Sequence, residues 1–341
     1  MNISENISLK AFNTFGLDVK TKKYVKIYNE DDAVALIQSG MLSDENILFL
    51  GGGSNVLFID DFDGLIVHSA VRGMKIIESD DDNVILEVGA GENWHDFVTI
   101  CHKNNYFGLE NLALIPGTVG AAPVQNIGAY GIEQKDLFVS LKGMNLHMGR
   151  FEEVNSADCK FSYRNSVFKN ELKDEFLITS VKYKLSKNSE PDLSYKELRQ
   201  EVEKFAIEKT DAGFVYDTVC RLRTAKLPLP EYIGNAGSFF KNPTFNEKDF
   251  SALQDIYPEM KGYKQADGGI KISAAWLIEK SGWKGKRIGA AGVYDKHALI
   301  IVNYGGANGR DIFNLSEKIK QSVFDMFGVQ LEREVNVIGI I

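Results

Sequence analysis

Ile47-Leu-Phe-Leu-Gly-Gly-Gly-Ser-Asn-Val-Leu-Phe-Ile59 sets a short apolar run against three glycines, two small polar residues and a second apolar run. Ile47–Leu50 reads as a buried strand that the glycines end, and Val56–Ile59 resumes an extended chain. Upstream, 24–29 alternates as a strand should. A helix is expected from Asp31-Asp32 through Gln38, with acidic residues at its positive end and Gly40 just past it. Residues 64–67 read as another strand, so the whole stretch describes a small βαβ-type unit with a glycine turn at a strand end. Three glycines expose successive backbone N–H groups, which can wrap a pyrophosphate without cations. The turn is neither Gly-x-Gly-x-x-Gly opening a long helix nor a Walker loop. By itself it is equally a plain flexible turn.

The rest of the chain continues as a mixture of strands and helices. Strands are expected at 74–78, 84–88, 137–147 and 176–185, and Asn93 is placed to cap a helix running to about Asn104. A charged helix to about Glu208 and a second over 213–226 follow. Residues 246–256 and 272–281 read as helices, and 298–302 as a buried strand. Ile312, Leu315, Ile319, Val323 and Phe327 recur at helical spacing over 311–327, and Gly328 stops that helix. The stretch from Val329 to Ile341 reads as a strand, with Arg333 and Glu334 on opposite faces. No internal repeat or low-complexity segment interrupts the pattern.

Composition narrows the function classes. The 341 residues are 44% hydrophobic and 25% charged, the balance of a globular chain long enough for two or three domains. A net charge of -8 argues against a general nucleic-acid binder, and an anionic ligand then needs locally placed cations. Cys101, Cys159 and Cys220 are widely spaced and odd in number, which fits a reducing compartment and offers no zinc or disulfide framework. The five histidines show no metal-ligand spacing. No apolar run reaches the length of a spanning helix, and Met1-Asn-Ile-Ser-Glu-Asn lacks the features of a secretory signal. A cytoplasmic protein without membrane insertion is expected.

Three stretches besides the glycine turn could carry chemistry. Residues 107–131 combine five glycines with small and apolar residues and hardly any charge. Such a segment must lie against something apolar, either a flat bound cofactor or a close-packed crossover between domains. Arg164 stands in the short polar turn Phe161-Ser-Tyr-Arg-Asn-Ser166, where a surface ion pair is the usual fate of an arginine. Ser238 lies in Asn235-Ala-Gly-Ser-Phe-Phe-Lys-Asn-Pro243, after Gly237 and before a Phe pair, with Pro228, Pro230 and Pro243 stiffening the flanks. A hydroxyl held that way is a cap or a reacting group.

Taken together, these motifs and Asn13-Thr-Phe-Gly16, Ile115-Pro-Gly117, Gly120–Gly131, Tyr163-Arg164 and Glu332-Arg-Glu-Val335 resemble the bacterial UDP-N-acetylenolpyruvoylglucosamine reductases. The likeness covers nearly the whole chain, in order. Leu193-Ser-Tyr195 sits where the longer subtype of that family carries a tyrosine loop over its substrate. The resemblance implies an α+β fold: a two-domain FAD-binding module of the vanillyl-alcohol-oxidase type plus a C-terminal α+β substrate-binding domain. Residues 1–69, rejoined by a returning strand 328–341, would form the first part, 70–225 the second and 226–327 the third.

The implied reaction is reduction of the enolpyruvyl ether of UDP-N-acetylglucosamine to its lactyl ether, with NADPH as co-substrate and non-covalent FAD. Cofactor contacts fall on Gly51, Gly52, Gly53, Ser54 and Asn55 for the pyrophosphate, and on Pro116, Gly117, Gly120, Asn126, Ile127 and Tyr130 near the ring system. Arg164 would hold the substrate carboxylate with its planar fork. Ser238 would protonate the α-carbon, and Glu334 would stabilise developing charge, for which a raised pKa is expected. Tyr163, Tyr195, Lys226, Asn242 and Lys284 would hold the UDP-sugar, while the part of His297 stays open. Ala121-Ala122 stands where some relatives carry serines. No metal and no nucleic acid enter, and a monomer is expected. Two other readings weighed here are a flavin oxidase of the same fold acting on a small alcohol, and a nucleotide-sugar binding protein without turnover.

Overall fold

The computed structural model describes residues 1–42, 46–205, 210–265 and 267–339. The chain gathers into two units, each with its own sheets and helices.

The first unit comprises Met1–Ile7, Thr21–Gly53 and Asp63–Ala225. Four strands pair in the order Ile3–Ser8, Lys20–Ile27, Phe62–Ser69, Ile47–Leu50. Ile47–Leu50 runs parallel to its neighbour with Leu50 opposite His68, so the glycine turn leaves the carboxyl end of an edge strand. The helix Glu30–Gln38 begins one residue before the expected Asp31, because the Asn29 side chain accepts from the Asp32 amide and caps it. Ala33 and Leu36 bury its inner face against Val25, Ile27, Leu65 and Val67.

The same unit carries a five-stranded antiparallel sheet in the order Arg150–Asn155, Phe138–Asn145, Phe176–Ser186, Asn83–Gly89, Met74–Ser79. The three inner strands and the edge strand Met74–Ser79 fall where the sequence predicts them. Arg150–Asn155 does not stand out in the sequence because it is a polar edge strand with no buried residue. Asn93 caps the helix Trp94–Lys103 as expected, and Trp94 packs edge-on to Phe97 and Tyr183 in the core. The helix expected to run to Glu208 is Lys196–Glu203, and 206–209 lie outside the described residues. The helix Ala212–Lys226 matches its expected span.

The uncharged segment 107–131 divides its apolar character between two uses. It forms two 3-10 turns, Glu110–Leu112 and Val119–Ala121, and a tight hairpin that pairs Gly128–Ala129 with Ile132–Glu133. Leu109, Leu112, Ala113, Val119, Ala122 and Ile127 join the core of the five-stranded sheet. Ordinary packing therefore accounts for most of its buried side chains. Residues 114–118 between the turns stay partly exposed, with Pro116 the most open.

The second unit comprises Ser8–Lys20, Ser54–Phe62 and Lys226–Ile341. One sheet runs Gly234–Ser238, Ile300–Asn303, Ala291–Val293, Arg287–Ile288, and another runs Thr244–Phe245, Ile270–Ile272, Gly262–Lys264. Helices Glu247–Ile256, Ala274–Lys280 and Gly309–Phe327 fall close to the expected spans. In the last, Ile312, Leu315, Ile319, Val323 and Phe327 are all buried, an Asn308–Asp311 capping box starts it, and Gly328 ends it at φ 68°. The strand expected over 329–341 is regular only at Asn336–Ile338, which pairs parallel with Val56–Phe58. Ahead of it the chain is extended but meets its neighbour through a single bridge, Arg333 to Phe240. Residues 340–341 lie outside the described residues.

Asn13–Gly16 forms a socket behind the Gly234–Ser238 strand. The Asn235 amide donates to Thr14 O at 3.0 Å, Asn303 Nδ2 donates to Phe15 O at 3.0 Å, and Phe15 meets Phe239 edge-on. A Cβ on Gly234 would stand 2.3 Å from Phe15 O, so the strand and the socket approach more closely than any side chain permits. We expect Gly234→Ala to lower stability by about 2 kcal/mol, the usual cost of forcing an extra methyl into a tight contact. Chemical denaturation checks this, and an unchanged midpoint would show that the socket yields.

Candidate functional site

Ser238 is the last residue of its strand, and the geometry around it is irregular for a reason. The ladder with Ile300–Asn303 slips between Asn235 and Ser238, which leaves a bulge at Gly237 with φ 68°. Asn235 holds that bulge: its Oδ1 accepts from the Gly237 amide at 3.0 Å, and its Nδ2 donates to Pro228 O and Ile233 O. Ser238 closes a strand and does not precede a helix, so its position does not support the capping reading. The buried Phe239 and Phe240 behind it fix the backbone on which the hydroxyl is mounted.

Glu334 lies on the neighbouring extended segment. Its amide donates to Phe239 O at 2.9 Å, and the Lys241 amide donates to Glu332 O at 2.9 Å, so 239–241 and 332–334 run antiparallel side by side. The residue is 9% exposed, an uncommon setting for a carboxylate. Asn55 braces the same segment from its other side, donating from Nδ2 to Glu334 O at 3.3 Å and accepting from the Asn336 amide at 3.0 Å. The fold therefore brings the Ser238 and Glu334 segments together.

Arg164 belongs to the first unit. It occupies a left-handed backbone conformation at φ 55°, in a turn closed by paired Ser162 and Asn165 amide bonds. Its Nη2 donates to Gly128 O at 2.8 Å, and its guanidinium lies 5.4 Å from the Tyr163 ring centroid. Leu114, Asn126 and Tyr130 also have positive φ, at 57°, 45° and 48°. Non-glycine residues reach that region at a cost of about 1–3 kcal/mol each and persist where the surroundings over-determine them. Four of them fall on these two loops, and Asn6, Asn105, Lys160 and Asp174 share the conformation elsewhere.

The remaining expected residues are distributed as follows. Asn126 is fully buried; its Nδ2 donates to Glu133 Oε2 and Ser162 O, and its Oδ1 accepts from Gln134 and Lys135. That amide braces the Arg164 turn. Ile127 is in the core, and the Gly120 amide donates to Ala90 O at 2.8 Å. Tyr130 stacks edge-on with Tyr195 at 5.5 Å, and burial pushes its phenol up to about 12. The Leu193–Tyr195 loop is tied to the same place, since Asn111 Nδ2 donates to both Tyr130 O and Asp192 O. Lys226 ends the helix Ala212–Lys226. In the second unit Asn242 Oδ1 accepts from the Ala274 amide at 2.9 Å and helps cap the following helix. Lys284 pairs with Glu279 at 3.1 Å, and His297 Nδ1 accepts from the Leu299 amide.

One residue of this region escaped the sequence reading. Arg223 sits one turn before Lys226, its Nη2 donates to Leu114 O at 3.3 Å, and its Nε is out of solvent reach with no hydrogen-bond partner among the described residues. Burial lowers its affinity for its proton, and Tyr130, Cys220 and Arg164 are its charged and ionisable neighbours. In Arg221-Leu-Arg-Thr-Ala-Lys226 it reads as one of several cations on a solvated helix face. Only the packing of the helix distinguishes it.

Comparison with known proteins agrees with this architecture. Residues 21–155 match the FAD binding domain family, and residues 228–338 match the UDP-N-acetylenolpyruvoylglucosamine reductase C-terminal domain family. An FAD-binding domain joined to this C-terminal domain defines a flavoprotein oxidoreductase, with the α+β fold class that the motifs imply. The reductase of Flavobacterium johnsoniae is 45% identical over 99% of this chain and 100% of its own, and that of Amoebophilus asiaticus is 42% identical over 99% and 100%. The crystal structure of the Thermus caldophilus enzyme superposes with a TM-score of 0.70 at 22% identity, covering 99% of this chain and 100% of that one, which shows the shared fold. The chain belongs to the UDP-N-acetylenolpyruvoylglucosamine reductase family.

Two features of the first unit fit the FAD that this family carries. A Cβ on Gly51 would stand 2.6 Å from Thr118 Oγ1, and one on Gly52 would stand 3.0 Å from Gly117 Cα. The two loops thus lie against each other with bare backbone, the arrangement in which amides can reach a pyrophosphate. The unpartnered Nε of Arg223 is the second feature, because a buried donor left unmet in the protein suits an acceptor on a bound group. Gly51→Val would drive a side chain into Thr118. We expect Gly51→Val to bind flavin at least about tenfold more weakly, the loss of little more than one hydrogen bond's worth of binding, and so to leave purification with less flavin per chain. The ratio of flavin to protein absorbance after gel filtration measures it, and full occupancy would remove the loop from the cofactor site.

Proposed function

We propose that this protein reduces the enolpyruvyl ether of UDP-N-acetylglucosamine to UDP-N-acetylmuramate for peptidoglycan precursor synthesis, with Arg164, Ser238 and Glu334 as its catalytic residues. The single observation that carries the assignment of residues is that the Glu334 amide donates to the carbonyl of Phe239, the residue after Ser238, in a chain of this family. The chemistry that bound FAD supplies is transfer of a hydride equivalent from NADPH to the vinyl carbon furthest from the ether oxygen. Negative charge then builds on the adjacent carbon and its carboxylate. Arg164 holds that carboxylate with its planar fork, a contact that strengthens as charge develops. Its fixed turn and its bond to Gly128 O keep the guanidinium oriented before substrate arrives.

Ser238 gives its proton to the α-carbon. A serine hydroxyl is a weak acid, so it depends on being held at the reacting carbon and on neighbours that stabilise its conjugate base. The Gly237 bulge and the Phe15 socket provide the first of these. Glu334, as an acid or through a hydrogen bond, stabilises the charge that forms. Tyr163, Tyr195, Lys226, Asn242 and Lys284 bind the UDP-sugar, with Leu193–Tyr195 as the tyrosine loop of the longer subtype. The cofactor is held without a covalent bond by Gly51, Gly52, Gly53, Ser54 and Asn55 at the pyrophosphate, and by the Pro116–Tyr130 stretch at the ring system.

The proposal extends to organisation: a three-part division at 1–69 with 328–341, 70–225 and 226–327, and a monomer acting in the cytoplasm, where NADPH and nucleotide sugars are found. Nucleic acid has no part in it. Among the described residues no helix is long and apolar enough to cross a membrane.

Anaerobic half-reactions test the roles. Ser238→Ala is expected to bleach with NADPH at the normal rate, while recovery of flavin colour with UDP-N-acetylglucosamine enolpyruvate slows by roughly 10²-fold or more, the usual range for a general acid. A normal second half-reaction would remove Ser238 from catalysis. Lys226→Ala is expected to raise the half-saturating substrate concentration about tenfold with little change in the limiting rate, as loss of one charged contact does. An unaltered concentration dependence would remove Lys226 from the diphosphate site.

A further inference from the structure

Arg333 stands one residue before Glu334, and nothing in the roles above uses it. Its side chain is only 18% exposed, and it points away from the strand partner toward the helix Gly309–Phe327. Three contacts meet it there. The guanidinium pairs with Glu317, its Nε donates to Ser316 Oγ at 3.2 Å, and it lies 4.4 Å from the Phe313 ring centroid. Ser316 is itself fully buried, with its hydroxyl donating to Phe313 O at 2.7 Å, so the acceptor cannot move freely. A salt bridge, a hydrogen bond and a cation–π contact therefore converge on one planar group from one turn of a capped helix.

The backbone of the same residue forms the isolated bridge to Phe240. On either side the segment is tied by the Lys241–Glu332 amide bond, the Lys241–Glu332 ion pair and the Glu334–Phe239 amide bond. Successive side chains of an extended segment project to opposite faces. With Arg333 directed to the helix, Glu334 is directed away from it, and the helix contact determines which way the carboxyl faces. Phe239 and Lys241 hold the backbone of this segment on one side and Asn55 on the other, and the Arg333 side chain adds an anchor to the helix.

We propose that Arg333 is a positioning residue for Glu334: it clamps the 332–334 segment to the Gly309–Phe327 helix and thereby holds the Glu334 carboxyl in its working orientation. The inference rests on the reading of Glu334 as the residue that stabilises developing charge. Lysine in place of Arg333 keeps the attraction to Glu317 but cannot reproduce the donor fork that also reaches Ser316. Glu317→Gln weakens the clamp from the helix side and leaves Arg333 in place.

The test uses full-length FAD-loaded protein in three measurements: NADPH bleaching, colour recovery with the enolpyruvyl substrate across pH, and backbone amide exchange at 332–336. For Arg333→Ala we expect colour recovery to slow about tenfold, its pH profile to shift, and amide exchange at Glu334 to rise about tenfold, while bleaching stays within about twofold. Arg333→Lys should recover part of the rate, and Glu317→Gln should change it in the same direction as Arg333→Ala but less. Colour recovery within twofold of the parent and an unshifted profile in both Arg333→Ala and Glu317→Gln would overturn the proposal. So would an equal fall in both half-reactions, which marks a purely structural residue. Glu334→Gln separates the two levels: if it leaves colour recovery unchanged, the reading of Glu334 fails; if it slows recovery while Arg333→Ala does not, only the clamp fails.

Discussion

Irregular backbone is costly to bury, because its N–H and C=O groups have no ladder or helix to satisfy them. This protein meets that cost with buried asparagine amides. Asn13 donates to Leu9 O and Leu17 O, Asn111 to Tyr130 O and Asp192 O, and Asn126 to Ser162 O. Asn235 donates to Pro228 O and Ile233 O, and Asn303 to Phe15 O. Each of the five is less than a tenth exposed. The Arg164 turn, the Leu193–Tyr195 loop, the Ser238 bulge and the Glu334 segment are each fastened by one of them or by Asn55.

That constraint explains how each unit presents its polar groups without long regular elements beneath them. In the first unit the Arg164 turn is braced by Asn126 and by a carbonyl of the 128–133 hairpin, and Arg164 and Asn126 both hold left-handed conformations. In the second, the bulge under Ser238 is stitched by Asn235, and the Glu334 segment is fastened by Asn55, Phe239 and the Arg333 anchor. Rigidity in loops is otherwise hard to obtain. Side-chain amides supply it because they carry both a donor and an acceptor and stay neutral when buried.

Much of the architecture was legible before any coordinates. Long helices with strong apolar periodicity, such as Gly309–Phe327, and caps such as Asn93 depend on neighbours only a few residues away. The polar edge strand Arg150–Asn155 was not legible, because pairing with Phe138–Asn145 creates it and its own pattern does not announce it. The C-terminal segment was overextended for the opposite reason: its β-favouring residues suggested a long strand, but ladder partners exist for only part of it. The low charge of 107–131 pointed both to a cofactor and to packing, and burial of Leu112, Val119 and Ile127 shows how much of it belongs to the core.

By itself the sequence determined the family, the order of most elements and the glycine turn, and it named candidate residues for the chemistry, because motif order and local periodicity are properties of the chain alone. The tertiary structure decided which of those residues have a mounting. It set Ser238 at a bulged strand end beside the Glu334 segment, left the Nε of Arg223 without a partner, and turned Arg333 from a neighbour of Glu334 into an anchor on a helix. Each of these depends on groups that meet only after folding. Residue type shows what a side chain is able to do, but which way it faces, and what holds it there, is determined by partners far away in the chain.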